Sequence, residues 1–195
     1  KIDLGTGETS SIPDYIGQRI EYFDITSDGQ RLLFSRDYSY YGYQDMVADG
    51  TLELFLGLED NNRKWIGRID REDSWIVYHQ LSGSSPPANI FKIDFQGDPS
   101  TIVKLTDGAG AEQNYWPAWI DVDNAKYIVF QTNRFGNEEI ALMNAYGTSY
   151  PDQIINLTMN PAVDLAPDWT PLEAALDIGT GSGIVAVAVA GQCDR

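Results

Sequence analysis

The chain has 195 residues, 43% apolar and 22% charged, a composition that excludes a disordered chain and allows one domain with its own core. A formal net charge of -16 repels nucleic-acid phosphates and anionic lipid, so neither is an expected partner. A single cysteine, Cys193, rules out an internal disulfide and a cysteine-based metal site, and no apolar run reaches the roughly 18 residues that would span a bilayer as a helix.

The opening KIDLGTGETSS (Lys1–Ser11) carries no secretory-leader pattern and reads as the end of a preceding repeat. From there on, short apolar runs alternate with turn residues. RLLFS (Arg31–Ser35), WIVYHQ (Trp75–Gln80) and YIVFQT (Tyr127–Thr132) are branched or aromatic and follow the polar turns TSDGQ, DREDS and DVDNA. Runs this short, bounded by Asp, Gly and Asn, predict buried strands rather than helices. After WIVYHQ and YIVFQT comes a second strand, NIFKIDF (Asn89–Phe95) and EEIALMNA (Glu138–Ala145), then a shorter one, TIVKLT (Thr101–Thr106) and QIINLT (Gln153–Thr158). Each short strand ends in Leu-Thr and leads through a polar linker to a Pro-x-Trp, at Trp116–Trp119 and at Ala166–Trp169.

The buried strands recur at intervals of about 44 and then about 52 residues, the range in which four-stranded propeller blades repeat. Blade stacking is favoured because one such sheet cannot bury both of its faces alone. The expected architecture is therefore all-β: a β-propeller, or propeller segment, of four-stranded antiparallel blades, about three full ones plus a composite or incomplete one. The expected divisions are 1–20 as the end of a preceding blade, 21–65, 66–118 and 119–168 as repeat units, and 172–195 as a glycine- and alanine-rich tail holding possible closing strands.

TNRFGNEEIALMNAYGT (Thr132–Thr148) and INLTMNPAVDLAPDWTP (Ile155–Pro171) resemble the strand-turn-strand segment and the inter-blade linker of TolB-type β-propeller repeats. NIFKIDFQGD with KLTDGAGAEQNYWPAW is similar, and DITSDGQRLLFS (Asp24–Ser35) resembles that family's Ser-Pro-Asp-Gly turn and strand without the proline. The resemblance covers residues 1–171 and fades between Tyr38 and Trp65. It implies an extracytoplasmic protein (periplasmic, cell-surface or secreted) with a protein partner. It also implies an enzyme-linked alternative, because such propellers serve as gating domains of serine peptidases whose catalytic domain would lie outside this chain.

LDIGTGSGIVAVAVA (Leu176–Ala190) reads two ways. Asp177, Gly179, Gly181 and Gly183 resemble the first motif of S-adenosylmethionine-dependent methyltransferases, where glycines let backbone approach the cofactor. That motif belongs near the start of a doubly wound domain, and only twelve residues follow Gly183. The structural reading is a hairpin in which EAALDI pairs with IVAVAVA around the glycines. Such a hairpin would let the two ends of the chain complete one shared blade and remove open sheet edges.

Other candidates for chemistry have structural explanations beside them. His79, the one histidine, lies inside a blade strand, and no nucleophile elbow accompanies it. Asp121, Asp123 and Asn124, and Asp70, Glu72 and Asp73, offer oxygen ligands of the kind Ca²⁺ takes, but sit where turn aspartates satisfy backbone donors. Asn156-Leu-Thr fits a glycosylation acceptor and equally the Leu-Thr of the repeat. Tyr38, Tyr40, Tyr41 and Tyr43 are expected in an exposed loop as a partner-binding patch, since tyrosine pairs a rigid face with a hydroxyl; a plug over neighbouring blades is the alternative.

The expectation is a non-catalytic binding or scaffold module for protein–protein interaction, with no catalytic residues, cofactor or metal and no membrane insertion. A structural unit that self-associates through incomplete terminal blades is the third reading.

Overall fold

The computed structural model describes residues 20–36, 40–45, 52–56, 63–82, 85–122, 125–146, 154–168 and 184–186. Within these the chain is all-β, apart from one 3-10 turn at Pro99–Thr101. No helix among the described residues is long and apolar enough to cross a membrane.

Three four-stranded antiparallel sheets follow one another along the chain. The first holds β1 (Ile20–Ile25), β2 (Arg31–Arg36), β3 (Tyr40–Asp45) and β4 (Leu52–Leu56), in that order. The second holds β5 (Arg63–Ile69), β6 (Trp75–Ser82), β7 (Ser85–Asp94) and β8 (Val103–Lys104). The third holds β9 (Asn114–Val122), β10 (Ala125–Thr132), β11 (Glu139–Asn144) and β12 (Ile155–Asn156). Each is an up-and-down meander, the arrangement of a propeller blade. The first strands carry the stacking: β1 packs on β5, β5 on β9, and β9 on β13 (Leu165–Asp168). Successive first strands side by side define the inner edge of a propeller segment.

The predicted buried strands are the second strand of each sheet. Their two faces serve two different neighbours. Leu33 packs with Ile76, Tyr78, Ile93 and Phe95, joining the first sheet to the second. Val77 and Ile90 pack with Trp119, Ile128, Phe130, Ala141 and Met143, joining the second to the third. Because alternate residues of one strand point to opposite faces, Ile76 faces back and Val77 faces forward. A strand buried on both sides loses the polar alternation that marks a half-exposed one. On the far side of the third sheet, Ala118, Ile120, Val129 and Ile140 form a further cluster, against which β13 lies.

The strands β5, β9 and β13 are broken by bulges at matching places. Ile66–Gly67, Trp116–Pro117 and Ala166–Pro167 each stand opposite a single partner residue. Trp116 and Ala166 both take a left-handed conformation, with φ of 52° and 51°. The bulge is what admits proline to a strand, since the extra residue leaves the ladder.

Several expectations are corrected here. Each sheet starts at its first strand, so Trp116–Trp119 lies inside β9 rather than in a linker. Tyr40, Tyr41 and Tyr43 lie on β3, not in a loop; the backbone of Tyr41 pairs with Ser35 and that of Tyr43 with Leu33. Tyr38 lies outside the described residues. The expected shared terminal blade draws on residues 1–19, which lie outside the described residues; what is described of the tail is β14 (Ile184–Ala186), which pairs with β13. Their pairing is parallel, Leu165 opposite Ile184, where the hairpin reading expected an antiparallel partner from EAALDI; that segment and the glycines of Asp177–Gly183 lie outside the described residues.

Candidate functional site

Alternation of strand direction puts the links between second and third strands at one end of the sheets, together with the links from one sheet to the next. At this loop end three segments meet: 105–113 between β8 and β9, 133–138 between β10 and β11, and 157–164 between β12 and β13. They are held by a hydrogen-bond scheme that repeats from sheet to sheet.

The Leu-Thr pair is its centre. The Leu105 N–H donates to the Ile90 carbonyl (2.8 Å), and the Leu157 N–H donates to the Ile140 carbonyl (2.8 Å). The next residue turns its hydroxyl inward. Thr106 Oγ1 accepts from the Ile90 N–H (2.9 Å) and donates to Asn89 Oδ1 (3.0 Å). Thr158 Oγ1 accepts from the Ile140 N–H (3.0 Å) and donates to the buried carboxylate of Glu139. A threonine is suited to this place because one hydroxyl both gives and takes a hydrogen bond. It also accounts for Asn156-Leu-Thr as part of the repeat.

The loops are then tied down from both sides. Asn114 donates to the Ala88 carbonyl (3.1 Å) and accepts from Thr132 Oγ1 (2.8 Å). Asn133 donates to the Ala111 carbonyl and accepts from the Gln113 N–H (2.9 Å). Arg134 grips Glu112 through Nε and Nη2 at 3.1 and 2.7 Å. One loop further, Asn137 donates to the carbonyls of Asn160 (3.0 Å) and Ala162 (2.7 Å), and Asn160 donates to Asp164 (2.6 Å). Gly108 is crowded: a Cβ there would lie 2.9 Å from Asn114 Nδ2 and 3.1 Å from Asn89 Oδ1, so both side chains would have to shift.

On this braced base the exposed tips are apolar. Phe135 is 41% exposed, Met159 78% and Val163 56%. Exposed apolar side chains on loops held by a satisfied polar base would need little further ordering to make a contact. Sequence reading did not single these three out. The available signal was Arg134-Phe135-Gly136, an aromatic in a turn between two strands that already bury their apolar residues.

The opposite end is built from the tight turns within each hairpin, and it is acidic. Thr26 Oγ1 accepts from the Arg31 N–H (3.0 Å), and Asp70 Oδ1 accepts at the matching place from the N–H groups of Ser74 (2.6 Å) and Trp75 (2.9 Å). Gly29 and Asp73 occupy the same left-handed position of these two turns, φ 69° and 52°. The turns bind neighbouring sheets to each other. Asp73 accepts from the N–H and hydroxyl of Ser27, and Asp24 accepts from the Ile69 N–H (2.8 Å). The Trp119 indole donates to the Arg68 carbonyl (2.8 Å).

Between the second and third sheets the same end holds a charged cluster. Lys126 pairs with the fully buried carboxylate of Asp70 and with Glu72 at 2.8 Å. Burial pushes the Lys126 ammonium down, but hydrogen bonds to Asp70 and Glu72 outweigh it and raise its pKa. Burial raises Asp121, with Lys126 opposing and Asp70 and Glu72 adding to the rise. Buried Lys92 donates to the Ala145 carbonyl (2.8 Å), with its ammonium 4.6 Å from the centre of the Trp75 ring. Burial lowers its pKa, and the charge of Lys126 lowers it further. The aspartates put forward as calcium ligands thus divide: Asp70 and Asp73 hold backbone and neighbouring sheet, Asp121 lies on β9, and Asp123 and Asn124 lie outside the described residues.

His79 is buried within β6 and meets the Tyr115 ring edge-on, with centroids 5.0 Å apart. Burial pushes its imidazole down to about 3, so it is neutral near pH 7.

No family model matches the chain, and no curated protein matches it. Among solved structures, one assigned to TolB of Agrobacterium tumefaciens is similar, at 16% identity and a TM-score of 0.39 over 76% of this chain; the chain spans 65% of that protein's length.

Proposed function

We propose that the chain is a non-catalytic binding module that holds a protein partner at the loop end of its sheets. The observation behind this reading is the set of exposed apolar tips, Phe135, Met159 and Val163, on loops fixed by Asn114, Asn133, Asn137 and Asn160. The partner is expected to offer a complementary apolar patch. The strongly negative charge favours a neutral or basic partner, by steering encounter rather than by adding much affinity. An extracytoplasmic location follows from the sequence resemblance alone and belongs to the same proposal.

The test compares two double variants as affinity baits, using an extract in which the parent chain captures a defined protein. Phe135→Ser with Met159→Ser alters the loop end; Asp28→Asn with Asp98→Asn alters the turn end. Loss of the captured protein with the first and retention with the second supports the proposal. Equal capture by both variants, or loss confined to the second, refutes it.

A further inference from the structure

Met159 stands at the loop end on a backbone that does not favour it. Its φ is 45°, in the left-handed region that suits glycine or asparagine. The other non-glycine residues in that region, among those described, have a local reason for it. Asp73 turns a hairpin and binds Ser27, and Trp116 and Ala166 sit in strand bulges. The equivalent place after the preceding Leu-Thr pair holds Asp107, a solvated carboxylate paired with Lys104 at 2.7 Å. Neither the backbone nor the repeat therefore calls for a thioether at position 159.

The two described methionines differ in access. Met159 is open to water, whereas Met143 is 5% exposed in the core between the second and third sheets. The residues on either side of Met159 are tied to the fold. Thr158 Oγ1 accepts from the Ile140 N–H and donates to Glu139; Asn160 donates to Asp164, and its carbonyl accepts from Asn137. A chemical change confined to the Met159 side chain leaves all of these hydrogen bonds in place.

We propose that Met159 is a redox-sensitive contact of the loop end: a peroxide converts its thioether to the sulfoxide, and the apolar tip, made polar, releases the partner. The proposal rests on the binding role given above to the loop end. In the step, the Met159 sulfur attacks one oxygen of hydrogen peroxide. An S–O bond forms as the O–O bond breaks, the sulfur gives up two electrons, and the second oxygen leaves as water with the proton of the first. Peroxide is the one co-reactant. The product is polar and chiral, which suits it poorly to an apolar patch, and methionine sulfoxide reductases reverse it.

The test uses the full chain carrying Met46→Leu and Cys193→Ser, so that Met143 and Met159 are its remaining sulfur-containing residues. It is exposed to hydrogen peroxide, and peptide mass mapping follows the added oxygen at each methionine. Met159 should react roughly tenfold faster than Met143, following its access. The urea midpoint of the Met159-oxidised chain should be unchanged. Binding of the defined protein captured in the loop-end experiment should fall in proportion to Met159 sulfoxide, and return after treatment with the two reductases that act on its epimers. Equal reaction of Met159 and Met143, full binding with Met159 oxidised, a shifted urea midpoint, or a loss the reductases do not reverse each overturns the proposal. Capture retained by the unoxidised Phe135→Ser, Met159→Ser chain overturns the binding role and this proposal together. Capture lost by that variant but kept by the oxidised chain overturns this proposal alone.

Discussion

The two ends of the sheets use the same residue types to opposite effect. At the turn end the polar groups are spent on the molecule itself. Asp70, Asp73 and Asp24 hold neighbouring backbone, and Lys126 crosses from the third sheet to the second. At the loop end Asn, Thr and Arg side chains again satisfy backbone and one another, but the tips they support are Phe135, Met159 and Val163. The first arrangement clamps sheets together; the second presents a surface. The difference teaches where to look for function in a repeated fold. The Leu-Thr hydrogen bonds recur from the second sheet to the third, and what stands on top of them at one end differs.

The strongest way to break the contrast is at the clamp. Asp70→Ala removes the acceptor of two backbone N–H groups and the buried partner of Lys126. It should destabilise the chain by about 3 kcal/mol, as losing one member of a buried pair does, measured by urea unfolding. A change of less than about 1 kcal/mol would show that the clamp contributes little.

Next comes the loop base. Gly108→Ala forces Asn89 and Asn114 apart where no room exists, and should cost about 2 kcal/mol in the same measurement. Gly29→Ala at the turn end meets nothing within 4 Å, so its cost, about 1 kcal/mol, comes only from the left-handed backbone. If the two costs come out reversed, crowding is not what fixes Gly108.

His79 separates the interior from both ends through pH. Its folded pKa, about 3, lies below its ordinary 6.5. Below pH 6.5 the unfolded chain takes up a proton that the folded chain refuses, so stability falls as pH drops from 6.5 towards 3 and is unaffected above that window. The slope from this residue is roughly 1.4 kcal/mol per pH unit. His79→Phe should remove that slope from unfolding curves recorded between pH 6.5 and 5; a slope identical to the parent's would place His79 in contact with water. The smallest effect is expected from Phe135→Ser, within about 0.5 kcal/mol of the parent's stability, since a side chain already exposed in the fold gives up little buried contact.

Much of this fold was legible in the chain itself. RLLFS, WIVYHQ and YIVFQT stood out as apolar runs, and all three are second strands; for β6 and β10 the reason is packing on both faces. The Leu-Thr endings were visible as a pattern, although their purpose, a hydroxyl shared between Ile90 and Asn89 or between Ile140 and Glu139, is a property of three dimensions. The first strands were hidden by their own bulges. Pro117 and Pro167 read as part of the linker pattern, and only a ladder that skips them keeps β9 and β13 as strands. Three of the four tyrosines misled as to placement alone, for the opposite reason. Tyr40, Tyr41 and Tyr43 interleave with Gly42 in a segment rich enough in aromatics to look like a binding loop, yet strand pairing with β2 and β4 claims it. Of the candidate site, the frame was readable as turn chemistry; the apolar tips were not, because one exposed Phe or Met looks in sequence like a core residue.

The whole account depends on sheets stacked face to face, and the Trp119 indole reports on that stacking directly. It crosses from β9 to the Arg68 carbonyl on β5, 2.8 Å away. In a proton NMR spectrum of the folded chain, assigned through a Trp119→Phe variant, this indole N–H should exchange slowly with deuterium and show a cross-relaxation peak to the Arg68 Hα. An indole proton that exchanges at the rate of free tryptophan, with no contact to Arg68, would contradict the stacked arrangement.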